Sequence, residues 1–385
     1  MCTVHKLRYN RGMGKSRVFR RKWLKGMDNL HADFSFLYSW NKKRMFCLSP
    51  REDGKSSNVA CKIIYREYKE YGRVGMVGVY NAVEINDDYV SQLETLINEF
   101  AVEKVHLTYS KANAHAGKAY VYDVTSEGNK PIMFFVSLNL RLKALKQLLV
   151  PNLSIFWIDE YIINPEKGER YPKGLALAVK ELLKTQRRIN PNLRELYTGN
   201  TYTLYNPIHY DLGVPLNKIR KPNTYYVGED YVVWHKILNP KLREAIIARD
   251  IGHVFEKDYI FSDYERYAIE GATVNDEHFL IVEDLPNSYA LKWLITYEGR
   301  KYGIYQLTDV LVKDAPRFWV GHADEYKGKK PSICFEFSEM ASGVALFSAA
   351  QRNEFAYYKD RFRNGSVAFQ DIQCGYMGEE TFKYL

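Results

Sequence analysis

Two stretches of the chain end in Gly-Lys-Ser: YNRGMGKS, from Tyr9, and SPREDGKS, from Ser49. That ending is how a phosphate-binding loop closes. Backbone N–H groups and the start of the following helix face the phosphates, the lysine reaches the outermost of them, and the hydroxyl serves Mg²⁺. The chemistry needs a context as well as letters: a buried strand must lead in and a helix must lead out. The second stretch has both. RMFCLS before it is a short apolar run, NVACKIIYREYKEYG after it spaces Val59, Ile63 and Ile64 on one helical face, and RVGMVGVYNA completes a β-α-β unit. The first stretch follows TVHKLRY, charged at alternate positions, and precedes RVFRRKWLKGMD, basic on several sides; no buried strand succeeds it. Lys55 and Ser56 are therefore assigned to a nucleotide, with Ser49, Arg51, Asp53, Gly54 and Ser57 completing the loop. Ser49 stands where the consensus has glycine, and Arg51 is not part of the general pattern.

Hydrolysis of a nucleoside triphosphate also needs Mg²⁺ and a positioned water. NLSIFWIDEYI offers both partners. Its apolar run from Leu153 to Ile158 reads as a strand buried on both faces, as in a parallel sheet, and it ends in Asp159-Glu160. Asp159 suits a Mg²⁺ ion held through its water shell, and Glu160 suits the orienting and deprotonation of the attacking water. NLRELYTGN reads as the next strand and finishes on Thr198-Gly199-Asn200, where an amide could sense the terminal phosphate. Between them, YPKGLALAVKELLKTQRRIN reads as a helix with Leu175, Val179 and Leu182 inward and Arg187-Arg188 at its C-terminal end. Cations there complement the helix dipole. They could also reach a neighbouring subunit's phosphates, where an arginine adds ~10³–10⁵ in rate.

The elements that must hold these groups fit a chain of 385 residues, 46% hydrophobic and 15% aromatic, long enough for two or three domains. No run approaches the ~18 apolar residues of a membrane span, and none follows the basic N-terminus as a signal peptide would. Five cysteines (Cys2, Cys47, Cys61, Cys334, Cys374) are scattered without a CxxC pair, as are the histidines, which argues against a disulfide framework and a zinc site. Residues 1–26 carry nine Lys/Arg and no acid, so the remainder of a chain of net charge +9 sums to zero. Such an arm is either a solvated tail or the footprint of a polyanion, DNA being the preferred one.

Taken together, Ser-x-Arg-x-x-Gly-Lys-Ser, Asp-Glu after an apolar strand and an Asn-terminated strand resemble the viral DNA-packaging ATPases of the large-terminase type, most nearly those of phi29-like podoviruses. SPREDGKSSNVACKIIY looks like that family's P-loop and helix, with its arginine at Arg51; VPNLSIFWIDEYI resembles its Walker B segment, and YTGNTYTLYNP its coupling segment. The likeness runs from about Phe34 to the C-terminus and weakens after Pro240. It implies an ASCE-type motor that binds ATP and Mg²⁺, forms a homo-oligomeric ring, expected to be a pentamer, and drives double-stranded DNA through the portal of an empty phage head in the host cytoplasm. A packaging RNA is a further partner it admits; a membrane is not. By position, Lys55, Ser56, Asp159 and Glu160 match the family directly, Asn200 matches the coupling position, and Arg188 matches the arginine finger, with Arg187 the near alternative. Lys146 sits where the family has a basic residue facing the neighbouring subunit. Residues 1–30 have no counterpart, and VGVYNA lacks the family's arginines.

The expected fold is α/β: a basic arm (1–30), an ASCE P-loop NTPase domain with a mostly parallel central sheet (31–238), a helical linker (239–268) and a smaller α+β domain of RNase H-like, vestigial-nuclease type (269–385). In the last, SYALKWLITYEGRKYGIYQLTD reads as two strands about a Glu298-Gly299-Arg300 turn, GVALFSAAQRNEFAYYKDRF as a helix, and SVAFQDI as a final strand after an Asn364-Gly365 turn. A two-metal nuclease needs carboxylates converging on ions ~4 Å apart. Asp309 and Asp371 could supply two, and no third is evident, so the domain is expected not to cleave. Arg352, Lys359, Arg361 and Arg363 belong either to a DNA contact or to a solvated helix face. Competing readings are a nuclease-competent terminase, another ASCE ATPase such as a helicase, and a basic DNA-binding scaffold with a relic P-loop.

Overall fold

Six strands are buried along nearly their whole length, at successive as well as alternate residues, which is what a sheet covered on both faces requires. In the computed structural model they form the centre of a nine-stranded sheet. The structure describes residues 24, 42–164, 169–251, 273, 276, 278–308 and 315–382, with the side chains of 247–251, 349–350 and 382 excepted. The chain divides into two compact units, 1–274 and 275–385. The first Gly-Lys-Ser stretch, most of the basic arm, Asp309 and the second half of the expected linker lie outside the described residues. Leu24, inside the expected arm, forms an antiparallel bridge with Ala101 and packs against the core.

The first unit contains β1 (Arg44–Leu48), α1 (Lys55–Asn58), a π-helical segment (Val59–Tyr65), α2 (Arg66–Tyr71), β2 (Val74–Val79), α3 (Asp87–Phe100), β3 (Leu107–Tyr109), α4 (Lys111–His115), β4 (Lys118–Asp123), β5 (Lys130–Ser137), α5 (Leu142–Gln147) and β6 (Leu153–Ile158). It continues with α6 (Leu175–Gln186), β7 (Arg194–Gly199), α7 (Pro207–Asp211), α8 (Leu216–Ile219), β8 (Thr224–Val227), β9 (Tyr231–His235) and α9 (Pro240–Ile251). Strand order is β3-β4-β5-β2-β6-β7-β1-β9-β8. From β5 to β9 all neighbours are parallel, and antiparallel hairpin strands close both edges. β7, the strand that ends before Asn200, therefore lies between β1, which leads into the second Gly-Lys-Ser, and β6, which ends before Asp159-Glu160. Because these strands run the same way, their C-terminal tips emerge along one edge, where open α/β sheets bind ligands.

The helix after the P-loop departs from a simple amphipathic helix. It opens as α, widens to i→i+5 winding over Val59–Tyr65, and returns to α. Six of these seven residues are buried, because the segment is covered on more than one side. Ile64 packs so close to β2 that a Cβ on Gly75 would lie 2.8 Å from it, and Cys61 Sγ donates to Leu96 O of α3 at 3.1 Å. π winding is rare and concentrates near functional sites. Among the described residues, no helix is long and apolar enough to cross a membrane.

The second unit is built on a seven-stranded sheet: β10 (Leu280–Ile281), β11 (Tyr289–Tyr297), β12 (Arg300–Leu307), β13 (Phe318–His322), β14 (Ser332–Cys334), β15 (Val344–Leu346) and β16 (Val367–Phe369), with α10 (Ala349–Arg363) and α11 (Ile372–Phe382). Its order is β10-β16-β13-β12-β11-β14-β15, antiparallel through β13, β12 and β11 and parallel from β11 to β15. Glu298 and Gly299 form the β11–β12 turn with φ of 49° and 77°, both left-handed as a two-residue hairpin loop demands. Trp293 stacks on Phe355 of α10 at 4.2 Å between ring centroids, seating that helix on the sheet.

Candidate nucleotide site at the sheet tips

The loop between β1 and α1 has the shape of an anion cradle. Glu52 and Gly54 take left-handed φ values of 60° and 67°, which turn successive N–H groups inward. The helix that follows has no side-chain cap and no acid in its first turn, so its leading N–H groups and its dipole are left for an anion. The loop is fixed from three sides. Ser49 N donates to Gly199 O at 3.1 Å, Lys236 N donates to Leu48 O at 2.7 Å, and Asn58 Nδ2 donates to Gly54 O at 2.8 Å. Lys236 Nζ also meets Asp53 Oδ1 at 2.5 Å, and Asp53 is fully buried.

Lys55 curls over this cradle. Its Nζ donates to Ser49 O (2.9 Å), Pro50 O (2.7 Å) and Asn200 Oδ1 (3.3 Å). Burial lowers the pKa of this ammonium, opposed by the charges of Asp53, Asp159 and Glu160. Asp159, at the tip of β6, accepts from Ser56 Oγ on Oδ2 at 2.5 Å and from Thr198 Oγ1 on Oδ1 at 2.8 Å. Trp157 Nε1 donates to the same Thr198 hydroxyl at 2.8 Å, so β6, its neighbour β7 and the start of α1 meet at one carboxylate. Burial raises the pKa of Asp159, and the two hydroxyl donors work against that. Ser56 and Asp159 are a hard-oxygen pair of the kind Mg²⁺ takes, placed at the start of a cradle with open N–H groups; the donor set fits that ion and a triphosphate.

Glu160 follows at the outermost point of β6, exposed, with a left-handed φ of 48°. For a residue with a Cβ this conformation costs ~1–2 kcal/mol, so its surroundings must enforce it. Asn200, one residue beyond β7, faces Lys55 directly. Thus Lys55, Ser56, Asp159, Glu160 and Asn200 come together. Ser49, Asp53 and Gly54 shape the loop, and Arg51 and Ser57 lie within it.

Arg187, Arg188 and Lys146 are not brought to this cluster. Arg187 pairs with Glu195, whose carboxylate also takes Arg44 Nε at 3.0 Å and the Tyr197 hydroxyl at 2.7 Å. Glu195 lies opposite Arg44 at the N-terminal ends of β7 and β1, the far end of the sheet from the cradle. Arg188 is exposed, with no ion pair among the described residues. Lys146 lies where α5 packs on α6, its O accepting from Thr185 Oγ1 (3.4 Å), and its Nζ meets Glu181 at 3.4 Å. Arg188 and Lys146 are both exposed.

Sequence reading missed Lys236, which joins the loop from 183 residues away with no motif to flag it. It also missed the metal-like grouping of His322, Asp371 and Cys374 in the second unit, whose ligand atoms lie within 4.8 Å of one another. Asp371 there caps α11, accepting from Cys374 N at 2.8 Å, and takes His322 Nε2 at 2.8 Å; a helix cap accounts for the grouping.

In fold, the chain is similar to a chain of the bacteriophage phi-29 viral genome packaging motor assembly, with a TM-score of 0.64 and 17% identity over 92% of this chain and 99% of that one. It is also similar to the phi-28 DNA packaging motor, with a TM-score of 0.52 and 14% identity over 92% of this chain and 98% of that one. Both units take part in these matches, given their extent. No family model matches the chain, and no curated protein matches it in sequence.

Proposed function

We propose that the chain is the ATP-hydrolysing subunit of a viral DNA-packaging motor, an ASCE-type enzyme that moves double-stranded DNA into a procapsid. One observation carries the reading. Lys55, Ser56, Asp159, Glu160 and Asn200 converge at the tips of β1, β6 and β7, in the strand order that separates P-loop and Asp-Glu strands by a coupling strand, within a chain folded throughout like packaging-motor chains. The cradle N–H groups and Lys55 would bind the phosphates, Lys55 exchanging its three present oxygen partners for phosphate oxygens. Ser56 and Asp159 would hold Mg²⁺, which neutralises charge on the phosphates. Glu160 orients the attacking water and accepts its proton, and Asn200 registers the terminal phosphate beside Lys55. Arg188 and Lys146 act on a neighbouring copy, in a ring proposed to be a pentamer seated on the portal of the phage head in the host cytoplasm. A packaging RNA is a candidate bridge to the portal. Sequence-independent grip on DNA comes from Lys/Arg contacts to phosphate.

The second unit is assigned an RNase H-like, non-cleaving role. Its central order β13-β12-β11-β14-β15 fits that fold, and at the adjoining β11 and β14 a Thr296–Ser332 hydroxyl pair (2.8 Å) stands where paired acids would be needed. The test is DNA-stimulated, Mg²⁺-dependent ATP turnover by the purified chain. Wild type should turn over ATP and leave plasmid intact in Mn²⁺. Lys55→Ala should lose nucleotide binding, and Glu160→Gln should bind ATP yet lose ~10²–10⁴ in rate. Turnover unaffected by both substitutions would sink the assignment.

A further inference from the structure

Resting on that ATPase reading, we infer that Tyr161, gripped by Tyr80, Asn206 and His209, is the positioning device that sets the Glu160 carboxylate, and that it ties this carboxylate to the segment following the coupling strand.

The backbone at Glu160 is left-handed. A residue with a Cβ holds such a conformation only where its neighbours over-determine it. The neighbour that does so is Tyr161, wholly buried, with each of its polar atoms claimed by a different part of the fold. Its N–H donates to Thr198 O of β7 at 3.0 Å. Its carbonyl accepts twice, from the Tyr80 hydroxyl just past β2 (2.5 Å) and from Asn206 Nδ2 (2.7 Å). Its hydroxyl meets His209 Nε2 of α7 at 3.1 Å. His209 Nδ1 donates to Leu204 O at 2.8 Å, so Nε2 is the acceptor and the tyrosine hydroxyl the donor. The ring lies against Phe46, Tyr197 and His209. Gly199, last in β7, makes room for it: a Cβ there would fall 2.9 Å from the Tyr161 ring.

The gripping residues are all buried. Asn206 serves two ends at once. Its Oδ1 accepts from Ile208 N at 2.8 Å, starting α7, while its Nδ2 holds the Tyr161 carbonyl. The stretch 201–211, which leaves Asn200 beside Lys55, thus returns to clasp the residue after Glu160. A displacement of Asn200 by phosphate binding or loss has a short covalent and hydrogen-bonded route to the general base. A peptide carbonyl clasped by two donors cannot rotate freely, and the φ of Glu160 rotates only with its neighbouring peptides. Loosening the clasp should therefore let the carboxylate leave its working position, where a misplacement of ~1 Å costs on the order of 10² in rate.

Two nearly isosteric substitutions test this. Tyr80→Phe removes one donor to the Tyr161 carbonyl; Asn206→Asp keeps the acceptor for Ile208 N and removes the other. Steady-state ATPase kinetics and ATP affinity by titration calorimetry are measured for wild type, both variants, Glu160→Gln, and each variant combined with Glu160→Gln. The expected result is a fall in kcat of roughly tenfold or more for each variant, with KM and ATP affinity within about twofold of wild type. No further fall is expected once Glu160 is already Gln, because the clasp then has no base to place. The inference is overturned if kcat stays at the wild-type value. It is equally overturned if affinity and kcat fall together, or if the losses simply multiply with that of Glu160→Gln, as a merely structural role would give. Failure of the underlying reading looks different: wild type itself shows no Mg²⁺-dependent turnover, and both ideas fall together.

Discussion

His209 is buried among Tyr161, Phe46 and Leu204, and its burial drives its pKa down to about 4 from an ordinary 6.5. Its hydrogen bond to Leu204 O resists that shift without cancelling it. Between these two values the unfolded chain carries a proton that the folded chain refuses. Stability from the neutral ring is therefore fully present above pH 6.5 and is lost as pH falls toward 4. The gap corresponds to about 3 kcal/mol across the window. Urea midpoints at pH 7 and pH 5 should differ more for wild type than for His209→Gln. Equal pH dependence in the two would mean that the ring is not held neutral. A carboxylate titrating in the same range affects both proteins alike, so the difference isolates the imidazole.

At the scale of elements, the site is assembled where strand tips meet, and much of that was written locally. The run from Leu153 to Ile158 is apolar on both faces, so it had to be an inner parallel strand, and Asp159-Glu160 had to lie at its tip. The second Gly-Lys-Ser outranked the first on strand and helix context alone, and β1 and α1 flank it as that context requires; the first lies outside the described residues. What the sequence withheld is pairing across distance. Nothing in YVVWHK announces that β9 lies beside β1 and lowers Lys236 onto Asp53. Nor does periodicity reveal that the helix after the loop is enclosed on more than one side and wound as π, since covered helices lose the polar stripe that periodicity reads. The Lys236–Asp53 pair also makes a prediction. Asp53 is fully buried, so Lys236→Ala strands a charge in the interior, a change worth roughly 3–5 kcal/mol. The thermal midpoint should fall and ATP affinity should weaken with it, because the loop loses its side-chain tie at the end of β9. The double substitution Asp53→Asn with Lys236→Met should recover most of the midpoint, as removing both partners leaves no orphan charge. A midpoint unmoved by Lys236→Ala would show that the pair does not fasten the loop.

For the whole molecule, the placement of its cations sets how it can work with copies of itself. The cradle sits at the C-terminal ends of the parallel strands, whereas α6 ends beside Glu195 at their N-terminal ends. β7 alone, Arg194–Gly199, separates those ends by on the order of 17–20 Å. Arg188 cannot reach the phosphates of its own chain, and it has no ion-pair partner among the described residues. Arg187 is the poorer finger, since Glu195 holds it together with Arg44 and Tyr197. The proposed head-to-tail ring would resolve the geometry: Arg188 of one copy would face the next copy's cradle, and such heterologous contacts close only as rings. The consequence can be read from two dead proteins. Arg188→Ala keeps an intact cradle and Glu160 but offers nothing to its neighbour; Glu160→Gln has an idle site but still presents Arg188. Each alone should lose nearly all DNA-stimulated turnover, Arg188→Ala by ~10³-fold or more. Mixed in equal amounts under assembly conditions, they should regain activity, because an Arg188→Ala site now has a Glu160→Gln neighbour whose arginine reaches it. Recovery should peak at intermediate mixing ratios and vanish at either extreme. If Arg188 acted within its own chain, no ratio would restore turnover, since every site would still lack one of the two groups.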